Sequence, residues 1–248
     1  MEYEYLHVDM GGPRATDENG RPGKFGKPPW YVRDINPEGT VPAMYDNGVG
    51  RFAVRGTYTD DNIGHHFINQ YGQGSGLLPE DPEQQNACRF FVAWCGGLEL
   101  VGMQLLYAKD RSKASYLAEK LTDQLRQISA KMVEQSAEGP FFLGEQLTIA
   151  ETHLAPHLDR WESTLAYFRN HELLPEDDPS LTRLREMLAA VRARPAFQRT
   201  SQPAEYYIWA ERRTRWNANL VGVPWSELDE AELAALDAEQ QGEQQAKL

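Results

Sequence analysis

The hydrophobic periodicity of this 248-residue chain changes near residue 82, and that change limits the folds that the chain can adopt. Before it, short segments alternate apolar and polar residues between turns rich in glycine and proline, a pattern typical of strands. After it, apolar residues recur every three or four positions, as on the buried face of a helix. We therefore predict an α+β part over residues 1–76, an all-α part over 82–215 and a C-terminal extension over 216–248.

The N-terminal part combines strand-like segments with long connections. Five glycines and four prolines fall among charged residues in one stretch, which indicates a long loop. In chain order, we predict a strand over 2–10, a loop over 11–29, a helical turn over 30–35, a turn over 36–39, a β-hairpin from 40–45 and 51–58, and a short helix over 60–71.

Residues 83–108 are apolar around most of a helical circumference, so they predict the central helix of the all-α part. Gly96 and Gly97 interrupt this pattern, at a cost of about 1 kcal/mol each relative to alanine. We expect them to permit a kink, or a close approach by another helix or a ligand.

Three further helices are predicted by spacing. Thr148 and Glu151 have the spacing of a capping box, in which each side chain binds the backbone amide of the other residue. Two single-face leucine patterns predict the other helices, one ending before Gly139 and one ending at Pro195. Their apolar residues are Leu117, Leu121, Leu125, Ile128 and Met132 in the first, and Leu181, Leu184, Leu188 and Val191 in the second.

The composition excludes several classes of function. The net charge of −12 opposes nucleic-acid binding unless a strong basic patch is present. No uncharged apolar stretch reaches the roughly 20 residues of a membrane span, and no signal peptide is visible. Cys88 and Cys95 are seven residues apart on one predicted helix, beyond disulfide reach. We therefore expect a cytoplasmic protein with reduced thiols.

Two clusters of residues can be interpreted either as ligand-binding sites or as contacts within the protein. His153 and His157 have a spacing that can bind a metal on one helix face, but no third ligand is evident, so we predict packing histidines and no metal site. A basic aromatic cluster, formed by Trp209, Arg212, Arg213, Arg215 and Trp216, could stack on nucleotides. We expect it instead to dock the acidic tail or to close over a substrate cleft.

The acidic C-terminal extension has seven acidic residues and one basic residue over 226–248. A frayed surface helix that continues into a disordered tail is the expected structure. The alternative is a docking helix for a protein partner.

Four motifs, taken in order, resemble those of the glutathione transferases. Residues 36–42 (NPEGTVP) resemble the segment that leads into the family's cis-proline, and residues 77–82 (LLPEDP) its interdomain linker. Residues 144–151 (GEQLTIAE) resemble the capping box of its buried sixth helix, and residues 194–197 (RPAF) a common helix terminator. Residues 27–31 (KPPWY) look most like the omega-like and glutathionyl-reductase branch.

The resemblance implies a thioredoxin-like N-terminal module and an all-helical C-terminal domain, assembled as a homodimer with a cleft between the domains. It also implies glutathione as the cosubstrate. Val41, before Pro42, would pair with the cysteinyl unit, and Lys27 would meet the glycyl carboxylate. A helix N-terminus at Asp60 and Asp61 would face the γ-glutamyl group. Asp61 departs from the family's serine at this position, and a carboxylate there repels a carboxylate.

The resemblance further places the electrophile cleft beside the central helix. Trp94, Met103 and Tyr107 lie on that helix and could hold an apolar substrate. Packing in the core or in an interface is the alternative for these three residues.

In this family the first strand and first helix carry the catalytic Cys, Ser or Tyr. Residues 2–10 resemble the strand after that helix, so we expect the module to be incomplete and the nucleophile to be missing from this chain. Tyr3 and Tyr5 are on the wrong strand, and Cys88 and Cys95 are in the helical domain. Either the native protein is longer, or residues 2–10 pair directly with residues 41–45, or another chain fills the gap.

Two functions follow from the resemblance. The first is an omega-like glutathione transferase or glutathione-dependent thiol reductase, in which a thiolate attacks an electrophile or a mixed disulfide. The second is a non-enzymatic interaction or assembly subunit that kept the fold. In that case the loop over residues 11–29 and the acidic tail would be its contact surfaces.

Overall fold

The computed structural model describes residues 27–37, 39, 42–46, 50–53, 61–213 and 221–235. The chain divides into two compact units, Met1–Ser75 and Gly76–Leu248. The predicted strand over 2–10 and nearly all of the loop over 11–29 lie outside the described residues. The incomplete thioredoxin-like module therefore stays a prediction.

In the first unit, the predicted helical turn, hairpin and helix are all present. The turn is a π-type helix, Tyr31–Ile35. Strands β1 (Ala43–Asp46) and β2 (Gly50–Ala53) pair antiparallel, with Ala43 opposite Ala53. Helix α1 spans Asp61–Tyr71.

The predicted turn after the π-type helix is confirmed. The Gly39 amide donates to the Asn36 carbonyl at 2.9 Å, and Gly39 has a φ of 68°, which only glycine adopts without strain. Asn36 and Tyr31 are both buried at this turn.

The second unit is helical in its described part, and the four helices predicted for it are confirmed. Their bounds are α2 Pro82–Leu106, α3 Arg111–Gln135, α4 Ile149–Arg169 and α5 Thr182–Arg192, followed by the short α6 Pro195–Gln198 and by α7 Ala204–Arg213. Two 3-10 turns, Pro179–Leu181 and Trp225–Glu227, and a helical turn over 230–235 complete it.

Helix α2 is the core of this unit and packs against α3 and α4. Helices α2 and α4 run in the same direction, as three contacts along their length show. The Cys88 thiol lies 3.5 Å from the Thr148 hydroxyl near their starts, Gly102 lies against Trp161, and Arg169 binds the Leu105 carbonyl at their ends. Among the described residues, helix α2 is long and apolar enough to cross a membrane by length and composition alone, and 44% of its apolar window is buried inside the protein.

The predicted close approach of another helix to the glycine pair in α2 is wrong. The helix passes through Gly96 and Gly97 without interruption. A Cβ atom at Gly96 would meet nothing within 4 Å, and one at Gly97 would meet only Gln124 Nε2, at 3.9 Å. The close approach is at Gly102 instead, where a Cβ would lie 2.5 Å from the Trp161 ring.

Local signals in the other helices are confirmed. All five residues of the predicted apolar face of α3 are buried, from Leu117 to Met132. Helix α4 begins with the predicted capping box of Thr148 and Glu151, and it contains Pro156.

Candidate functional site

Lys27, predicted to meet the glycyl carboxylate of glutathione, is buried, with a relative exposure of 6%. Burial lowers the pKa of its ammonium group, because the surroundings solvate the charge less well than water does. Lys27 is therefore not a solvated loop residue. A bound anionic ligand would compensate the solvation that the buried ammonium group has lost.

The other predicted glutathione contacts are only partly described. Pro42 is exposed and directly precedes β1, and Asp61 is the first residue of α1. Val41 and Asp60 lie outside the described residues. The start of α1 at Asp61 agrees with the helix N-terminus expected there, whose free amides attract anions.

The three residues predicted to line the electrophile cleft do not share one face of α2. Trp94 and Met103 are nine residues apart, which places them about 180° apart around a helix, whereas Met103 and Tyr107 are only about 40° apart. Met103 and Tyr107 are half-buried, and Trp94 is exposed. Only Met103 and Tyr107 can therefore line one apolar wall.

The two thiols are in environments that disfavour the thiolate. Burial raises the pKa of Cys88. The hydrogen bond that it shares with the Thr148 hydroxyl lowers this pKa, and the charge of Glu151 raises it. Burial and the charge of Glu151 raise the pKa of Cys95 to about 12. A nucleophilic thiol needs a lowered pKa, so neither residue suits that role.

Glu151 is buried at the start of α4 and organises the turn before it. Its carboxylate accepts from the amides of Phe142 at 2.7 Å and Thr148 at 2.8 Å. Burial raises its pKa, and these hydrogen bonds oppose the rise. The carboxylate is committed to backbone groups, so its role is to hold the fold.

Sequence reasoning missed a buried arginine at the other end of α4. The guanidinium of Arg169 donates to the carbonyls of Leu105 at 3.2 Å, Phe168 and Val221. Its Cζ lies 4.9 Å from the centre of the Trp225 ring, a cation–π distance. Burial lowers its pKa to about 10, so it stays charged at neutral pH.

These contacts fix residues 221–228, which we name the C-terminal strap. Val221 and Trp225 are buried, and the Asn170 side chain donates to the Trp225 carbonyl at 3.2 Å. The strap carries the start of the acidic stretch, which was expected to be a frayed surface helix. Within the described part of that stretch, Glu227 contacts the helical unit, whereas residues 230–235 form a mostly exposed helical turn, in agreement with the expected surface helix.

The outer edge of the strap is held by polar groups of α4 and α7. The Tyr167 hydroxyl donates to the Glu227 carboxylate, and Arg212 Nη1 lies 3.3 Å from the same oxygen. Arg212 belongs to the predicted basic aromatic cluster, so this contact supports the interpretation that the cluster docks the tail. Arg215 and Trp216 lie outside the described residues.

The histidine pair packs as expected. The rings of His153 and His157 are 5.8 Å apart, and His157 lies 5.4 Å from the Trp161 ring. Across the described part of the chain, no group of three or more His, Cys, Asp or Glu side chains is placed to hold a metal ion.

No family model matches the chain. The protein IN2-1 homolog A of Oryza sativa subsp. japonica is 29% identical over 147 residues, which cover 59% of this chain and 55% of that protein. The probable glutathione S-transferase DHAR4 of Arabidopsis thaliana is 24% identical over 188 residues, 74% of this chain and 76% of that protein. The chain thus spans about half the length of the first relative and three quarters of the second.

Solved structures show the same fold. The glutathione transferase Omega 3C of Trametes versicolor superposes with a TM-score of 0.60 at 24% identity, covering 75% of this chain and 74% of that one. The dehydroascorbate reductase of Chlamydomonas reinhardtii gives 0.56 at 23% identity, covering 75% and 77%. The trimeric glutathione transferase TDR1 of Leishmania gives 0.62 at 21% identity, covering 77% and 40%. Together the comparisons confirm the resemblance to the glutathione transferase superfamily and its omega-like branch.

Proposed function

We propose that this chain, a relative of the omega-class transferases and dehydroascorbate reductases, binds glutathione in the cytoplasm and supports its transfer or thiol-reduction chemistry. In that chemistry the glutathione thiol loses its proton, and its sulfur bonds to an electrophilic carbon or to one sulfur of a mixed disulfide. The leaving group departs with the electron pair of the broken bond. Relatives named as glutathione transferases and dehydroascorbate reductases support this proposal.

The burial of Lys27 is the observation that carries the proposal. An ammonium group removed from water loses solvation, and a bound carboxylate restores a favourable interaction with it. The glycyl carboxylate of glutathione is the group that the resemblance assigns to this lysine. Asp61 at the start of α1 adds free backbone amides for the γ-glutamyl carboxylate.

We propose that Val41, Pro42 and Asp60 complete the glutathione contacts, and that Met103 and Tyr107 receive an apolar electrophile. Neither described cysteine suits the role of the family's catalytic Cys, Ser or Tyr, so that catalytic residue is proposed to lie outside the described residues. A chain that retained the fold as an interaction subunit is the alternative function.

Isothermal titration calorimetry with glutathione tests the proposal. Lys27→Met keeps the side-chain length but removes the charge, and should weaken binding about tenfold or more, the usual range for a charged hydrogen bond. Lys131→Met is the matched control. Lys131 lies on the surface of α3, and its one ion pair within the described part of the chain is with Glu134. Unchanged affinity in the Lys27 variant would refute the assigned contact. An unaltered chain that binds no glutathione would favour the interaction subunit.

We also propose a homodimer, as the resemblance implies. Exposed apolar side chains on α2 support this proposal: Phe90 and Trp94, four residues apart on one helix face, are 65% and 41% exposed. Exposed apolar side chains grouped on one helix face are typical of association surfaces. Multi-angle light scattering should find a dimer that Phe90→Arg dissociates and that Val133→Arg, at an exposed position on α3, leaves intact. A monomeric unaltered chain would refute this proposal.

A further inference from the structure

The first half of α3 carries a basic face that is exposed to solvent. Lys113, Tyr116 and Lys120 follow one another at intervals of three and four residues, so they lie on the same side of the helix. All three side chains are exposed, and Tyr116 is 62% exposed. None of the ion pairs within the described part of the chain includes Lys113 or Lys120. We name these three residues the α3 basic face.

Two cations in the second half of α3 are paired, in contrast to the lysines of this face. Arg126 forms an ion pair with Asp178 at 2.8 Å. Lys131 forms one with Glu134 at 2.9 Å. Lys113 moreover lies in the first turn of α3, which contains no acidic residue and where the helix dipole disfavours a cation. An anionic partner would therefore stabilise this face, although the net charge of the whole chain is −12.

The acidic C-terminal extension contains the start of a capped helix. The Asp229 amide donates to the Glu232 carboxylate at 2.9 Å, and the Glu232 amide donates to the Asp229 carboxylate at 2.8 Å. This reciprocal pair is a capping box, which fixes the point at which the helix begins. Residues 230–235 are helical, and Glu230 at their start is exposed and belongs to none of the ion pairs in the described ranges.

The α3 basic face and the extension have complementary residues at the same helical spacing. When the two helices are set antiparallel, each lysine of the face meets a carboxylate, and the exposed tyrosine meets a small side chain that leaves room for its ring. The pairs are Lys120 with Glu230, Tyr116 with Ala234, and Lys113 with Asp237. Asp237 lies two residues beyond the described helical turn, and continuation of that helix would place it on the same side as Glu230.

We propose that the acidic extension of one copy of this chain binds the α3 basic face of a second copy as a short antiparallel helix. Within the described part of a single chain, Glu230 forms no ion pair with Lys113 or Lys120, and all three side chains are exposed. The two surfaces are therefore available to another copy. This contact goes beyond the proposed function, because it requires neither glutathione nor the exposed residues of α2.

A fluorescently labelled peptide of residues 226–240, titrated with the full-length chain and followed by anisotropy, tests this contact. The unaltered chain should bind the peptide saturably. Lys120→Glu should weaken binding about fivefold or more, because an attraction between two charges becomes a repulsion. Lys131→Glu is the matched control, since it makes the same change of charge on the same helix outside the basic face, and it should leave the affinity unchanged. Absence of saturable binding, or equal weakening by both substitutions, would refute the contact.

Reversal of both charges tests the register of the two helices. A peptide with Glu230→Lys should bind the unaltered chain about fivefold more weakly or worse, a loss that does not depend on the folding of a chain variant. The same peptide should regain affinity for Lys120→Glu, because the ion pair is restored with its signs exchanged. Recovery with Lys113→Glu instead would contradict the antiparallel register. Binding should also weaken as the NaCl concentration rises from about 0.05 to about 0.5 M, because salt screens exposed charges. An affinity that does not change with salt would overturn the proposed charge pairing.

Discussion

Gly102→Ala should destabilise the helical unit, although alanine is the better helix former. The new methyl group would lie 2.5 Å from Cη2 and Cζ2 of Trp161 and 2.8 Å from Cε2. Carbon atoms in favourable contact are about 3.5–4.0 Å apart, so the ring would have to move by about 1 Å. Trp161 is 1% exposed, so its ring cannot relieve the contact by turning into solvent.

The magnitude follows from two opposing effects. Overpacking in a closed core costs about 1–3 kcal/mol. Replacing a helical glycine by alanine contributes about 1 kcal/mol in the other direction. Gly96→Ala is the matched control on the same helix, since its Cβ would meet nothing within 4 Å. The propensity gain is common to both variants, so their difference in unfolding free energy isolates the overpacking, about 1–3 kcal/mol.

Urea unfolding followed by circular dichroism measures both variants against the unaltered chain. Gly96→Ala should be more stable than the unaltered chain and Gly102→Ala less stable than Gly96→Ala. Adding Trp161→Leu should remove the cost of Gly102→Ala, with a coupling energy of about 1 kcal/mol or more for residues in contact. Equal stability of the two alanine variants would show that α2 and α4 do not meet at Gly102.

Three further predictions concern the second unit. Thr148→Ala should lower the free energy of unfolding by about 1–2 kcal/mol, measured by thermal unfolding, because the Thr148 hydroxyl accepts a hydrogen bond from the Ala150 amide. Thr148→Ser should retain most of the stability. Leu125→Ala should cost about 2–5 kcal/mol in the same assay, because Leu125 is fully buried. Burial raises the pKa of Cys95 to about 12, so the folded chain holds this proton more tightly than the unfolded chain. The free energy of unfolding should then fall by up to about 1.4 kcal/mol per pH unit as the pH rises above 9. In Cys95→Ala, the unfolding free energy measured with urea at each pH should fall less steeply with pH.

Signals confined to a few neighbouring residues predicted the structure well. The capping box of Thr148 and Glu151 forms from groups three residues apart, so its spacing determines its geometry. The leucine face of α3 likewise depends only on helical periodicity. The turn at Gly39 follows from the local backbone preferences of asparagine, proline and glycine.

Contacts between distant segments could not be predicted in this way. Gly96, Gly97 and Gly102 all lie on α2, and the sequence offers no way to choose the one that meets Trp161, because the choice depends on how α4 crosses the helix. Arg169 binds carbonyls 64 and 52 residues away. Every residue has a backbone carbonyl, so the types of residue in the sequence do not show which carbonyls Arg169 binds. Helical periodicity could nevertheless have shown that Trp94 and Met103 lie on different faces. Nine residues make two and a half helical turns, which places the two side chains on opposite sides of the helix.

Because α2 and α4 run in the same direction, Arg169 has a further electrostatic role. Each helix carries the equivalent of about half a negative charge at its C-terminal end. The two ends meet at Arg169, whose partners there include the Leu105 and Phe168 carbonyls. Two half charges sum to about one, which matches a single guanidinium. Arg169 thus acts as the common counterion of two helix dipoles, which explains how a buried cation can be held by carbonyl oxygens.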